Sequence, residues 1–378
     1  MLALAACGHS SPVMPDDASP DVARDVAADA PVPIAPLEIH GLGVQGFVLR
    51  WGHDAVMTAP LFTRQSALDV TLNVPIAADT AAIDQNLASD NVPLDEVRAI
   101  VSGHAHYDHF LDVPHILELA PNAAVYTNLT GRHILAALAP DSCGTPPANP
   151  LPRSRVIAMD DPLASHVDYT NCPDQRPGGA PLEGEWLQVT AHVRLKAFCS
   201  MHPAQVGPYH FGAGAIDTDQ CSLPAAASGW LEGQTLAYLI DFLDDRGEPA
   251  YRVFYQDAPT DAPIGHVPDA VLAEKQVDVA LLCVGSSDAV ADQPGAILAN
   301  LRPRFALSGH WEDFFQPVGS TAPIPLLDVN GYVERANTAM PGAPDPGFLV
   351  DGALSGSRHV LVQPGSRFVV PPGGIIGE

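Results

Sequence analysis

The stretch Ser102-Gly103-His104-Ala105-His106-Tyr107-Asp108-His109 places three imidazoles and a carboxylate within six positions, directly behind the apolar run Ala99-Ile100-Val101. Neutral imidazole nitrogen and carboxylate oxygen are the donors that zinc and similar divalent ions take, and a catalytic centre keeps one position open for water. The spacing sends His104 and His106 to one side of an irregular turn, and Asp108 and His109 to another. One strand-end loop can thus serve two ions. The competing reading is a solvated surface cluster, and four ligand-type residues this close behind a buried strand weigh against it.

Something must hold that loop. From Leu37 the chain reads as short β-rich segments: "LEIHGLGVQGFVLRW", a turn at "GHD", and "AVMTAPLF", a hairpin-like opening with glycine at the bends. "SDNVPLDEVRAIVSG" then predicts a helical turn and the buried strand that delivers the cluster. "FLDVPHILELA" predicts a helix with Leu111, His115 and Leu119 on one side, and "AAVYTNLTGRHILAALA" predicts strand, turn and helix. Residues 140–185 are rich in proline and glycine and read as an insertion. A second hairpin is expected over "GWLEGQTLAYLIDFL", "DDRGEP" and "YRVFYQDAP", echoing the first. "DAVLAEKQ" and "GAILANLRP" read as helices, "VDVALLCVG" and "RFALSGHW" as strands. Strands and helices alternate while the hairpins mix strand directions, so the expected class is α/β (α+β in some schemes), with mixed sheets covered by helices.

The chain of 378 residues is 47% apolar, enough for a substantial core. Eighteen Lys and Arg against 44 Asp and Glu give a formal charge of -26, which repels nucleic-acid phosphates and anionic head groups; no basic patch offsets it. Thirty-eight prolines and 31 glycines favour a loop-rich architecture over a helical bundle. Leu4-Ala5-Ala6-Cys7 looks like a bacterial lipobox, read here as the end of a truncated signal over residues 1–7. Residues 8–36 carry Asp, Ala, Pro, Val and Ser without aromatics and read as an acidic linker before a domain over 37–378. The expectation is an exported lipoprotein, periplasmic or anchored to the outer membrane through Cys7, with a cytoplasmic protein as the alternative. Among the other cysteines, loop closure suggests pairing Cys143 with Cys172 and Cys199 with Cys221, leaving Cys283 a buried thiol; four cysteines allow three pairings.

The His-x-His-x-Asp-His stretch resembles the signature of the metallo-β-lactamase superfamily of metal-dependent hydrolases, over about residues 38–320. "HYDHFLD" and "GHWEDF" are most similar to the branch holding the ascorbate-phosphate lactonase and the N-acylphosphatidylethanolamine phospholipase D. The resemblance implies a four-layer αββα sandwich with two mixed β-sheets. It also implies three later ligands, each at a strand end. For the first, His202 in "LKAFCSMHPAQ" fits best; His192 sits mid-strand in this reading, and His210 lies well into a loop. Asp257 in "RVFYQDAPTD" fits the bridging carboxylate ahead of Asp261, and His310 ends "RFALSGH". Carried over, His104, His106 and His202 bind one ion, Asp108, His109 and His310 a second, and Asp257 bridges. Two departures stand out: Ala59-Pro60 where the branch often has Asp-Pro, and Gln256-Asp257-Ala258-Pro259 where many members have Gly-Asp-Thr-Gly.

The chemistry implied is hydrolysis. Two divalent ions, zinc first with manganese or iron as alternatives, bring the pKa of a bridging water near 7, and the hydroxide attacks an ester, lactone or phosphodiester. Asp108 and Asp257 would also orient the nucleophile. His115, His266, Ser286 and Ser287 lie near expected strand ends as substrate contacts, with exposed loop residues the competing reading. The loop from Cys199 to Cys221 reads as a lid whose base a disulfide would fix. The expected partner is a small-molecule or lipid-like substrate, with no nucleic acid. Two alternatives remain: a single-iron dioxygenase of the same fold, against which His310 argues, and a surface-anchored binding protein without turnover.

Overall fold

Runs of β-branched and aromatic residues with apolar side chains on both faces build the strands of this computed structural model, which describes residues 34–58, 60–162, 172 and 182–373. Cys7, most of the acidic linker, Ala59 and much of the expected insertion lie outside the described residues. Ala35–Glu378 form one compact unit.

The first half contributes β1 (Leu37–Gly43), β2 (Gly46–Trp51), β3 (Asp54–Thr58), β4 (Val97–Val101), β5 (Ala124–Thr127) and β6 (Val156–Ala158). The second contributes β7 (Leu187–Thr190), β8 (Val193–Cys199), β9 (Leu236–Leu243), β10 (Pro249–Gln256), β11 (Val279–Cys283) and β12 (Phe305–Gly309). The C-terminal stretch adds β13 (Leu349–Val350), β14 (Ala353–Leu354), β15 (His359–Leu361) and β16 (Arg367–Val370). Among the described residues they form a nine-stranded sheet, β14-β13-β16-β1-β2-β3-β4-β5-β6, and a seven-stranded sheet, β15-β12-β11-β10-β9-β8-β7. Both are mixed: β3 to β6 run parallel beyond an antiparallel meander, as do β10, β11, β12 and β15.

Period-two alternation sorts the side chains into three cores. Leu195, Ala197, Tyr238, Ile240, Tyr251 and Val253 of one sheet meet Leu49, Val56, Ala99 and Val101 of the other between the sheets. The opposite face of the nine-stranded sheet, with Val48, Met57, Ile100 and Val125, packs on Ile83 and Leu87 of the helix Thr80–Ser89, Ile116 and Leu117 of Val113–Leu119, and Ile134 of Leu129–Leu135. Phe198, Leu239, Phe254 and Leu282 pack outward on Val271 of Asp269–Glu274, Leu298 of Gly295–Leu301 and Tyr332 of Val329–Ala339. The order helix, sheet, sheet, helix is the expected four-layer αββα sandwich with two mixed β-sheets.

Three readings need correction. The segment 140–185 is not all insertion, because Val156–Ala158 pairs parallel with β5 as the edge strand β6. Its proline-rich flanks disguise three residues of strand. The opening "LEIHGLGVQGFVLRW" is itself a tight hairpin, turning at Val44 with φ 52°, before the turn at Gly52. The buried face of Val113–Leu119 is Val113, Ile116 and Leu117, while His115 lies outside, 2.8 Å from Asp84.

The disulfides also differ from the expected pairs: Cys143 is bonded to Cys221 and Cys172 to Cys199, with Cys283 free and buried as expected. Cys199 ends β8 facing the core between the sheets, where it meets Cys172. Cys221 meets Cys143 next to Gln220, whose N–H donates to His133 O at 2.9 Å. The two ends of the Cys199–Cys221 loop are thus fixed to two separate points of segment 140–185, rather than to each other.

Candidate metal centre

Strand direction brings the expected residues together. β8 and β10 both run antiparallel to β9, and β10, β11 and β12 run parallel, so β8, β10 and β12 end at one edge. His202, Asp257 and His310 follow those three strands, and β4 delivers Gly103 and His104 to the same edge, where Leu236 N donates to Gly103 O at 2.8 Å. This is the carboxyl-end crevice where α/β sheets place ligand sites.

Two groups of ligand-type atoms form there. His104, His106 and His202 offer one set, and Asp108, His109 and His310 another, with the atoms of each set within 4.8 Å of one another. The rings of His104 and His106 lie 4.6 Å apart, those of His104 and His202 4.8 Å, and those of His106 and His202 5.0 Å. Asp108 Oδ2 lies 3.3 Å from His310 Nε2 and 3.6 Å from His109 Nε2. The groups adjoin, since the His104 and His109 rings are 4.5 Å apart.

Hydrogen bonds behind the rings select which nitrogen faces inward. His104 Nδ1 lies 3.0 Å from Asp257 Oδ1, His106 Nε2 lies 3.2 Å from Gly212 O, and His202 Nδ1 lies 2.6 Å from Pro203 O. That leaves His104 Nε2, His106 Nδ1 and His202 Nε2 for the centre. His104 is 0% exposed and its Nε2 has no hydrogen-bond partner. Buried polar atoms without partners are costly, and a divalent ion accepted by that nitrogen removes the cost. The donor set fits zinc, or another imidazole-binding ion, by chemistry as well as by placement.

Electrostatics keep His106, His109, His202 and Asp108 in ligand form. Burial, with the neighbouring His104 adding to it, pushes His106 down to about 3, and burial does the same to His109 against the pull of Asp108. Burial and the neighbouring His104 and His106 hold His202 well below the usual histidine range. Burial alone would raise Asp108, but His109 and His310 hold its carboxyl well below the usual range. Burial alone would lower His104; Asp257 beside it overrides this and raises it. His104 Nδ1 faces Asp257, so Nε2 is the nitrogen that an ion would take by displacing a proton.

Asp257 departs from the bridging place that the resemblance implies. Its Oδ2 accepts from Gly103 N at 2.6 Å and its Oδ1 faces His104 Nδ1, so both oxygens are engaged behind the ring, and it joins neither group of three. Gly103 is required for this approach, because a Cβ there would lie 2.2 Å from Asp257 Oδ1. In this arrangement Asp257 stands behind His104, outside both groups.

The other candidates divide. Asp261 Oδ1 accepts from Ala291 N at 2.8 Å, away from both groups. His192 lies in the turn between β7 and β8, at the far end of β8 from His202, rather than mid-strand. His115 is in a surface ion pair. Ser286 and Ser287 follow Gly285, whose Cβ position lies 3.2 Å from His310 Nδ1, so their turn adjoins the centre; His266 is half-buried in a loop after β10. His310 itself has φ 56°, a left-handed backbone in a non-glycine residue of the kind found at functional sites, held by its N–H donating to Val44 O at 2.6 Å. Sequence reasoning missed Glu232, whose Oε2 lies 2.7 Å from His210 Nε2 and 3.9 Å from His106 Nε2. A lone glutamate before a glycine carries no signature.

No protein-family model matches the chain, and no curated protein does. Among solved structures it is similar to the metallo-β-lactamase fold protein YhfI from Bacillus subtilis, at 11% identity and TM-score 0.43 over 89% of this chain and 99% of that one. It is also similar to Igni18, described as a novel metallo hydrolase from Ignicoccus hospitalis, at 13% identity and TM-score 0.44 over 88% of this chain and 98% of that one. Likeness at this level carries no argument about chemistry. What fold and site define on their own is an αββα two-sheet protein with a candidate dinuclear metal centre at the shared strand edge.

Proposed function

We propose that the chain is a metal-dependent hydrolase that cleaves an ester, lactone or phosphodiester bond in a small-molecule or lipid-like substrate. The observation that carries this is the adjoining pair of groups, His104, His106 and His202 beside Asp108, His109 and His310, in which burial holds His106, His109 and His202 well below the usual histidine range. Two divalent ions, zinc first, supply an activated water and a Lewis acid for the electrophile's oxygen. The chain's own residues do the rest. Asp108 contributes the one carboxylate within the two groups, and Asp257 holds His104 in a single tautomer. The buried surroundings exclude bulk water and strengthen each of these interactions.

An exported protein agrees with this reading. Two disulfides support an oxidising compartment, and a lipid anchor at Cys7 belongs to the same proposal. Turnover of chromogenic phosphodiesters, lactones and carboxylic esters, measured after chelation and after reloading with zinc, manganese or iron, tests the function. Restoration by reloading supports hydrolysis. Full occupancy without turnover of any of the three bond classes favours a binding protein.

A further inference from the structure

The mouth of the centre carries a third group of ligand-type side chains that the six-residue centre leaves unused. His202, His210 and Glu232 offer atoms within 4.8 Å of one another. Glu232 is fixed through its backbone: its N–H donates to Gly212 O at 2.9 Å, and its carbonyl accepts from Ala105 N at 3.0 Å and Asn128 Nδ2 at 2.6 Å. Its carboxylate therefore stands beside His106, facing His210 Nε2 at 2.7 Å. The ring of His210 stacks on that of His202, 5.5 Å away at 29°.

The geometry points to an outer station for a divalent ion, made by His202, His210 and Glu232. Two imidazoles and one carboxylate are a zinc donor set found in open, water-accessible sites. His210 and Glu232 keep side-chain exposures of 30% and 15%, whereas His104 is closed off, so this group meets solvent first. With Nδ1 engaged by Pro203 O, His202 has one free nitrogen and can serve only one of its two groups at a time. The station is thus an entry point from which an ion passes inward while His202 stays bound. This inference rests on reading His104, His106 and His202 as a metal group. The competing account is that His210 and Glu232 form an ion pair that only latches the loop.

Equilibrium dialysis of the full chain against cobalt(II), with the cobalt absorption bands recorded, separates the two. The proteins are the native chain, His104→Asn with His106→Asn, and that variant with His210→Ala and Glu232→Gln added. The station predicts about two, about two and about one ion per chain. Counts of about two, one and one overturn it and leave the inner centre standing. A native count below two overturns the inner centre, while the difference between the second and third proteins still decides the station. If the His104 and His106 variant does not fold by circular dichroism, His210→Ala with Glu232→Gln in the native background decides: slower cobalt uptake to an unchanged final count supports the station, and unchanged uptake overturns it.

Discussion

The two sheets build their shares of the centre in different ways. The nine-stranded half supplies His104, His106, Asp108 and His109 from one strand-end turn, whereas the seven-stranded half supplies His202 and His310 from the ends of β8 and β12. In the first half local chain geometry sets the ligand positions; in the second, the register of β8 to β12 must be right before the ligands meet. A dense local motif survives modest rearrangement of its surroundings, and a dispersed one does not. The dispersed half is also the one braced covalently, with the loop that carries His202 fixed at both ends by disulfides.

The largest expected effect comes from breaking the dense half. Asp108→Asn removes the one carboxylate of the two groups, and hydrolysis should fall by about a thousandfold or more, with loss of one ion per chain by elemental analysis. On the dispersed side, Cys143→Ser with Cys221→Ser opens a link across 78 residues and should cost about 2 to 4 kcal/mol in urea unfolding. If bracing matters to the site, metal retention should drop with it; unchanged retention would confine the disulfide to stability.

Asp257→Asn sharpens the difference between a ligand and a residue that orients one. Behind His104, its loss should weaken metal retention by about 10- to 100-fold while both ions still load at high concentration. Failure to load the second ion at any concentration would restore the bridging role. The smallest effect concerns Asp160, which follows β6 and accepts from Leu129 N at 2.7 Å. Burial lifts its carboxyl to about 7, so between about pH 4 and 7 the folded chain holds a proton that the unfolded chain has lost. Stability should therefore decline as pH rises through that window, and Asp160→Asn should flatten the decline in urea midpoints.

The same contrast explains what could be read from the residues alone. His104 to His109 were legible because ligand density behind an apolar strand is a local property, and the helix and sheet layers because alternation and helical spacing are local too. His202 and His310 needed the family pattern to single them out from the other histidines. The placement of Asp257 was not legible, since it depends on a contact between its carboxylate and a backbone N–H 154 positions away. The disulfides failed for the same reason: loop closure suggested one set of partners, whereas Cys143 is bonded to Cys221, 78 positions away. The strands β13 to β16, two to four residues each, carry too little pattern to announce themselves, yet β16 pairs with β1 and β15 with β12.

The two adjoining groups have the donors for a dinuclear metal centre. Elemental analysis of the full chain, stripped with chelator and reloaded, tests it most directly. About two zinc, manganese or iron ions per chain are expected. No retained metal after reloading would contradict it, and a single iron would turn the reading towards oxygen chemistry on the same fold.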